Sequence, residues 1–127
     1  GTLEVEYVPQ GTLAERIRAY GAGLGGVLTP TGLGTIIQDG KQIVNVDGKD
    51  YILEKPLKAD IAFLRANIVD EDGNMVFLGT SQNFNPLMAM AADYVVVEAE
   101  KLVKNGEIAP EQIHASGIFV DGIYLEK

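Results

Sequence analysis

Three glycines, Gly21, Gly23 and Gly26, have the spacing G-x-G-x-x-G that marks many dinucleotide-binding sites. In those sites the glycines follow a strand and open a helix, so that the pyrophosphate meets the helix N-terminus. Here the order is reversed, because a predicted helix precedes the glycines and Pro30 in the following segment opposes a second helix. No Gly-Lys-Ser or Gly-Lys-Thr follows, so the segment is not a P-loop. A nicotinamide or flavin cofactor is therefore not expected.

The glycine-rich segment 21–35, GAGLGGVLTPTGLGT, needs another explanation. It can be an irregular connection that uses glycine wherever φ is positive. Alternatively, its bare backbone can approach a ligand closely and present N–H donors. A structureless loop of this length is uncommon in a compact domain, and such loops are often functional. Composition alone leaves both interpretations open.

Gln10, Gly11 and Thr12 lie between a predicted strand and the start of a predicted helix. A helix N-terminus supplies backbone N–H donors and suits an anion. The amide of Gln10 can add a neutral hydrogen bond to a carboxylate or to a thioester carbonyl. The simpler alternative is that these residues only cap the helix.

Other polar residues favour structural roles. His114 is the only histidine and has no cysteine or second histidine with which to bind zinc. Glu98 and Glu100 end an apolar strand, where they can face a ligand crevice but more often face solvent. A calcium loop starting at Asp70 fails, because its twelfth position is Ser81 rather than Glu. No metal site is predicted.

Periodicity and turn signals predict the elements that must position these residues. A helix is expected at Leu13–Tyr20, with Thr12 and Glu15 at capping-box spacing and Gly21 as its end. A hairpin is expected around Asp47-Gly48, and a second helix with Asn85 as N-cap. Apolar runs predict further strands at 3–8, 60–70, 75–79, 94–100 and 117–126, the run 94–100 being buried on both faces. Together these helices and strands predict one α/β domain, residues 1–127, with a mixed sheet.

Charge and composition exclude several classes of function. The net charge is −8 with a pI near 4.5, and no basic face for nucleic acid or anionic membrane is visible. No apolar stretch reaches the roughly 18 residues of a membrane span, and no signal peptide is visible. There are no cysteines, which is compatible with a cytoplasmic location. Because the chain opens on a strand-like run without Met, we expect a fragment.

Several segments together resemble the α subunit of family I coenzyme A-transferases, the acetate, butyrate–acetoacetate and succinyl-CoA:3-oxoacid enzymes. The resemblance runs in order through VPQGTLAERIRAYGAGLGGVLTPTGLGT, DYILEKPLKADIAFLRA, DEDGNMVFLGTSQNFNPLMAMAA and VVVEAEKLVKNGEIAPEQIHASGIFVDGI. It implies an open, mixed, largely parallel sheet with flanking helices and a β-hairpin or meander. The family's first βαβ segment, with its Gly-Gly-Phe type motif, is missing here.

The resemblance also implies an activity. Such enzymes move CoA from an acyl-CoA to a carboxylic acid through a glutamyl-CoA thioester, which is covalent catalysis. The nucleophilic glutamate lies in a Glu-Asn-Gly tripeptide of the β subunit and is absent here, since Asn105-Gly106-Glu107 has a different order. No catalytic residue is therefore assigned to this chain. A β-subunit partner in an α2β2 or larger assembly is implied, with CoA as a substrate and no metal or redox cofactor.

By the same resemblance, Gln10 contacts the acyl group near the partner's glutamate, and segment 21–35 lines the same cleft. Backbone N–H groups there can stabilise developing negative charge. The expected substrate-binding residues are Gln10, Gly11, Gly23, Gly25, Gly26, Thr31 and Gly32. Two alternatives stay open: a non-catalytic interaction module derived from an α subunit, and, on the glycine spacing alone, a nucleotide-dependent oxidoreductase.

Overall fold

The computed structural model describes residues 1–126, which form two compact units. Unit 1 is Gly1–Leu57, and unit 2 starts at Lys58. The sequence predicts one domain, since it shows no linker. The division falls in the short connection 55–58 between two strands, where Pro56 is unable to donate a ladder hydrogen bond. Each unit has a sheet of its own.

Unit 1 contains one helix and a three-stranded sheet. Its elements are α1 (Gln10–Gly21), β1 (Val27–Thr29), β2 (Ile43–Val46) and β3 (Lys49–Glu54), with a single 3₁₀ turn at Ile36–Gln38. The strand order is β1-β3-β2, and both pairings are antiparallel. The segment 21–35 is therefore not structureless, because β1 lies inside it.

Helix α1 confirms the first predicted helix but not the details of its ends. Its N-cap is Pro9, without a side-chain cap, whereas Thr12 lies inside the helix and Glu15 pairs with Arg18, so the capping box is wrong. At the other end, Gly23 has a φ of +68° and Leu24 N–H donates to Ala19 O at 2.8 Å. This is the Schellman arrangement, in which glycine reverses the chain and satisfies the last carbonyl groups.

The Asp47-Gly48 hairpin is confirmed. Both residues have positive φ, +50° and +80°, as a type I′ turn requires. Asn45 Oδ1 accepts the Gly48 N–H at 3.1 Å, and Val46 pairs with Lys49 across the turn. The turn thus fixes the register of β2 on β3.

The predicted strand at residues 3–8 is wrong. No strand is formed before α1, and Leu3, with 86% of its surface exposed, shows that the alternating side chains are not buried. Alternation indicates two faces, but a strand also needs a backbone partner. None of the described strands pairs with this segment.

Unit 2 contains the mixed, largely parallel sheet that the sequence predicts. Its strands are β4 (Ala59–Asp70), β5 (Met75–Val76), β6 (Ala92–Val103) and β7 (Gly122–Leu125), and its helix is α2 (Asn85–Ala89). The order is β5-β4-β6-β7, with β4, β6 and β7 parallel and β5 antiparallel. Phe84 rather than Asn85 is the N-cap of α2. Asn85 instead joins strand β4 to the segment before α2, accepting the Arg65 N–H and donating to Ser81 O.

One face of this sheet forms the core of unit 2. Alternate residues of β4 and β6 are buried on it, namely Ala62, Leu64, Ala66, Val95, Val97 and Ala99. On the opposite face Phe63 is 73% exposed, and Ile61 and Tyr94 are exposed beside it. The prediction that residues 94–100 are buried on both faces of the sheet is therefore wrong for the described residues. A continuous β-branched run indicates a strand, but it does not show what covers each face.

A buried carboxylate organises the turn between β4 and β5. Asp70 is almost fully buried and accepts hydrogen bonds from the N–H groups of Asp72 and Asn74 and from the Asn74 amide. Asn74 Oδ1 in turn accepts the Gly117 N–H at 2.9 Å. Asp70 thus serves as a turn residue, as the failed calcium spacing indicates. Gly117 packs directly on this turn.

We expect Gly117→Ala to destabilise unit 2. A Cβ at this position would lie 2.0 Å from Asp72 O, which is a backbone atom that cannot rotate away. Such overpacking costs about 1–3 kcal/mol in the free energy of unfolding, measurable by urea denaturation. Gly122→Ala is the control, because its Cβ would meet only ordinary contacts at 3.6 Å and beyond. Equal denaturation midpoints for the two variants would contradict this account.

Candidate functional site

A cavity of about 430 Å³ lies in unit 1 between the first turn of α1 and the strand β1. Its lining residues come from these two elements and from the turn after β1: Gly11, Thr12, Glu15, Val27, Leu28, Thr29 and Thr31. The structure thus brings together Gly11 and Thr31, two residues predicted to bind substrate that are distant in the sequence.

The start of α1 presents backbone donors beside this cavity. The first intrahelical hydrogen bond runs from Leu13 N–H to Pro9 O at 2.9 Å. The N–H groups of Gln10, Gly11 and Thr12 therefore have no acceptor within the helix. Gln10 and Gly11 are exposed. With the positive end of the helix dipole, these donors suit a carboxylate or a developing oxyanion.

The turn after β1 forms the opposite wall and is held by its own hydrogen bonds. Thr31 N–H donates to Thr29 Oγ1 at 3.1 Å, and Thr35 Oγ1 donates to Gly32 O at 2.7 Å. Gly32 has a φ of +98°, and a Cβ there would lie 2.6 Å from Ile37 Cγ2. Gly32 is thus required by the shape of the turn, whatever it contacts beyond the chain.

The remaining predicted site residues lie at the other end of α1. The helix has 12 residues, so its ends are about 18 Å apart. Gly23 reverses the chain there, and a Cβ on Gly26 would lie 2.8 Å from Glu54 O. Neither these two nor Gly25 lines the 430 Å³ cavity. Of the seven predicted residues, Gly11 and Thr31 line this cavity, whereas Gln10 and Gly32 are only their neighbours in the chain.

The element that follows the glycines shows whether their spacing is that of a dinucleotide-binding site. The segment that follows Gly26 is the strand β1, not a helix. No helix N-terminus is therefore available to the pyrophosphate of a dinucleotide at these glycines. The fingerprint is a coincidence of spacing.

A cluster of charged side chains that sequence reasoning missed lies in the same unit. Glu54, only 2% exposed, is 2.8 Å from Lys41 Nζ and 3.9 Å from Arg16 Nε. Arg16 Nη1 also donates to Glu6 Oε1 at 2.9 Å, and the group borders a second cavity of about 380 Å³. One signal was available in the sequence. Glu54 follows the apolar run of β3 and lies two residues after Ile52, so that in a strand both side chains point to the same, buried face.

In unit 2 the residues considered for chemistry have structural partners. His114 Nδ1 accepts the Phe77 N–H at 3.0 Å, and the two rings stack, as a structural histidine would. Arg65 lies on the exposed sheet face, 2.7 Å from Glu126 and 3.7 Å from Glu98. The hydrogen bond from Arg65 to Glu126, together with the negative charge of that carboxylate, raises the pKa of Arg65. Glu100 accepts a hydrogen bond from Asn67.

Among residues 1–126, no group of three or more His, Cys, Asp or Glu side chains is arranged to hold a metal ion. The described helices also include none with the length and hydropathy of a membrane span.

A family model described as coenzyme A transferase matches residues 1–126. The chain belongs to the coenzyme A transferase family. It is 54% identical over 124 residues to the acetoacetyl-CoA:acetate/butyrate CoA transferase alpha subunit of Clostridium acetobutylicum, covering 98% of this chain and 57% of that relative. It is 49% identical over 127 residues to the acetate CoA-transferase subunit alpha of Escherichia coli K12, covering 100% of this chain and 58% of the relative.

The fold agrees with this family. An acyl-CoA transferase from Escherichia coli O157:H7, solved as a thioester complex with CoA, superposes with a TM-score of 0.84 at 26% identity, over 95% of this chain and 27% of that one. This CoA-transferase chain spans just over half the length of the alpha subunits it matches. The resemblance inferred from the sequence motifs is confirmed, as is the α/β fold class.

The neighbouring glycines Gly25 and Gly26 allow a matched test of the segment between α1 and β1. We expect Gly26→Ala to lower the free energy of unfolding by about 1–3 kcal/mol, because its Cβ would press on Glu54 O. Gly25→Val should leave stability nearly unchanged, since among residues 1–126 no atom beyond Gly25 and its two chain neighbours lies within 4 Å of a Cβ there. Thermal and urea denaturation measure both.

Activity then separates the two possible roles of Gly25. If Gly25→Val is stable but loses activity, Gly25 faces a ligand or a partner outside this chain. If it is stable and fully active, the prediction that Gly25 lines a cleft is contradicted.

Proposed function

We propose that this chain forms part of the α subunit of a short-chain acyl-CoA:carboxylate CoA-transferase. The observation that carries the proposal is the 430 Å³ cavity at the start of α1, in a chain of this family. It combines backbone donors that have no acceptor within the helix with threonine residues, which suits an acyl carbonyl or a carboxylate. The names of the relatives support acetate, butyrate and acetoacetate as substrates. Other relatives are named for succinyl-CoA and 3-oxoadipate, so several acids are candidates.

The proposed reaction uses a glutamate of the β subunit. Its carboxylate attacks the thioester carbonyl, expels CoA as a thiolate and becomes an acyl–glutamyl anhydride. The thiolate then attacks the glutamyl carbonyl, which releases the first acid and leaves a glutamyl-CoA thioester. A second carboxylate repeats the sequence in reverse and leaves as the new acyl-CoA. Splitting the exchange in this way replaces one difficult step by easier ones.

The contribution of this chain is binding and electrostatic stabilisation. The amide of Gln10 and the N–H groups of the first turn of α1 would bind the acyl carbonyl oxygen as it gains negative charge. Donors fixed before the reaction need no reorganisation, so they lower the barrier effectively. CoA is a substrate, and no metal or redox cofactor takes part. In this proposal the α and β subunits form an α2β2 or larger assembly in the cytoplasm.

A second candidate is a non-catalytic interaction module. It is favoured by the exposed apolar sheet face of unit 2. Such a module would bind the β subunit without supporting transfer.

Co-purification and assay distinguish the two candidates. The tagged α subunit should purify with a second chain that contains Glu-Asn-Gly, and the complex should transfer CoA from acetoacetyl-CoA to acetate or butyrate. Hydroxylamine or borohydride should trap the glutamyl thioester on the second chain only. A complex without transfer activity supports the interaction module, and a bound flavin or nicotinamide absorbance would overturn both.

We expect Gln10→Ala to reduce kcat of the complex by about a hundredfold, the lower end of the range for removing one oxyanion donor. Stability should be retained, because Gln10 is exposed at the helix start and alanine is a good helix former. Steady-state kinetics and thermal denaturation measure the two effects. The control is Gln112→Ala, which removes an equally exposed amide in unit 2. Unchanged kinetics in Gln10→Ala would remove this residue from the site.

A further inference from the structure

Arg16 joins the middle of α1 to the end of β3. Its Nε donates to Lys55 O at 2.9 Å, and its own backbone carbonyl accepts the Leu57 N–H at 3.0 Å. Arg16 is thus bonded through both side chain and main chain to residues just after β3. Because Arg16 is six residues from Gln10, these bonds act about 9 Å from the start of the helix. They fix both the position and the rotation of α1 on the sheet.

Glu54 is the centre of the cluster. Its carboxylate is bonded to Lys41 and lies within ion-pair distance of Arg16, with almost no solvent access. A buried carboxylate is costly unless it stays paired and hydrogen-bonded. Its cations therefore have little freedom to move, which makes the cluster rigid. Buried ion pairs add little net stability compared with apolar side chains, so rigid geometry is the better explanation for this arrangement.

The same residue also controls the opposite wall of the 430 Å³ cavity. Glu54 pairs with Val27 in the β1–β3 ladder, and its carbonyl oxygen packs against Gly26. Strand β1 continues directly into Thr29 and Thr31, which line the cavity. One wall is therefore linked to Glu54 through its backbone, and the other through Arg16.

We propose that Arg16, Lys41 and Glu54 form a positioning cluster that sets the separation between the first turn of α1 and the turn after β1. The cluster does not touch the substrate. It holds the backbone donors of α1 at a fixed distance from Thr29 and Thr31, so that the acyl group is aligned with the partner's nucleophile. This inference rests on the proposed function, because it assumes that the cavity is where the acyl group binds.

The test replaces Lys41 in the complete complex of α and β subunits. We expect Lys41→Met to lower kcat by about tenfold, since small misplacements of catalytic groups have effects of this order or larger, with KM changed less than about threefold. Lys41→Arg keeps the positive charge and a donor for Glu54, so kcat should stay within about twofold of wild type. The matched control is Lys49→Met, an exposed lysine of the same unit at the turn end of the hairpin. Circular dichroism at the assay temperature confirms that each variant is folded.

A second variant covers the case in which Lys41→Met does not fold. Arg16→Lys keeps the charge but loses the planar fork that reaches Lys55 O and Glu6 together, and we again expect a fall in kcat of about tenfold. The inference is overturned if the folded variants keep kcat within twofold of wild type. It is equally overturned if Lys49→Met shows the same loss. A wild-type complex that transfers no CoA would instead reject the proposed function, and this inference with it.

Discussion

Unit 1 depends on one buried negative charge. Glu54 lies at the end of β3, where the helix α1, the strand β1 and the residues around Lys41 all meet it. The carboxylate is stable there only because two cations accompany it, and each cation belongs to a different part of the chain. The position of α1 and the path of the glycine segment are both consequences of this arrangement. The cavity at the start of α1 is the space that remains between them.

Unit 2 follows a different constraint, which is the need of a parallel sheet for cover on both faces. Small side chains of β4 and β6, such as Ala66 and Ala99, allow α2 and the connecting turns to pack closely on one face. The other face presents Phe63 and its neighbours to solvent, with the ion pairs of Arg65 among them. The described residues thus supply only one of the two layers that such a sheet requires.

The sequence predicted the elements whose signals are local. The hairpin at Asp47-Gly48 depends on two residues that tolerate positive φ, and α1 depends on helical spacing over three turns. The order of the motifs along the chain was also sufficient to recognise the family, because each motif is defined by residues that are adjacent in the sequence. Local signals failed at residues 3–8, where alternation was present but no partner strand is described. They failed again at β6, because the sequence of one strand does not reveal what lies over each face.

The sequence by itself determined the fold class and the family, because these follow from residue type and order along the chain. Only the tertiary structure decided which predicted site residues lie together. It placed Gly11 and Thr31 on the same cavity, which neither Gly23 nor Gly25 lines. It also revealed the partners of Glu54, which come from positions far apart in the sequence. Neighbours of this kind are created by strand pairing and helix docking, whose geometry depends on all the contacts of the unit at once.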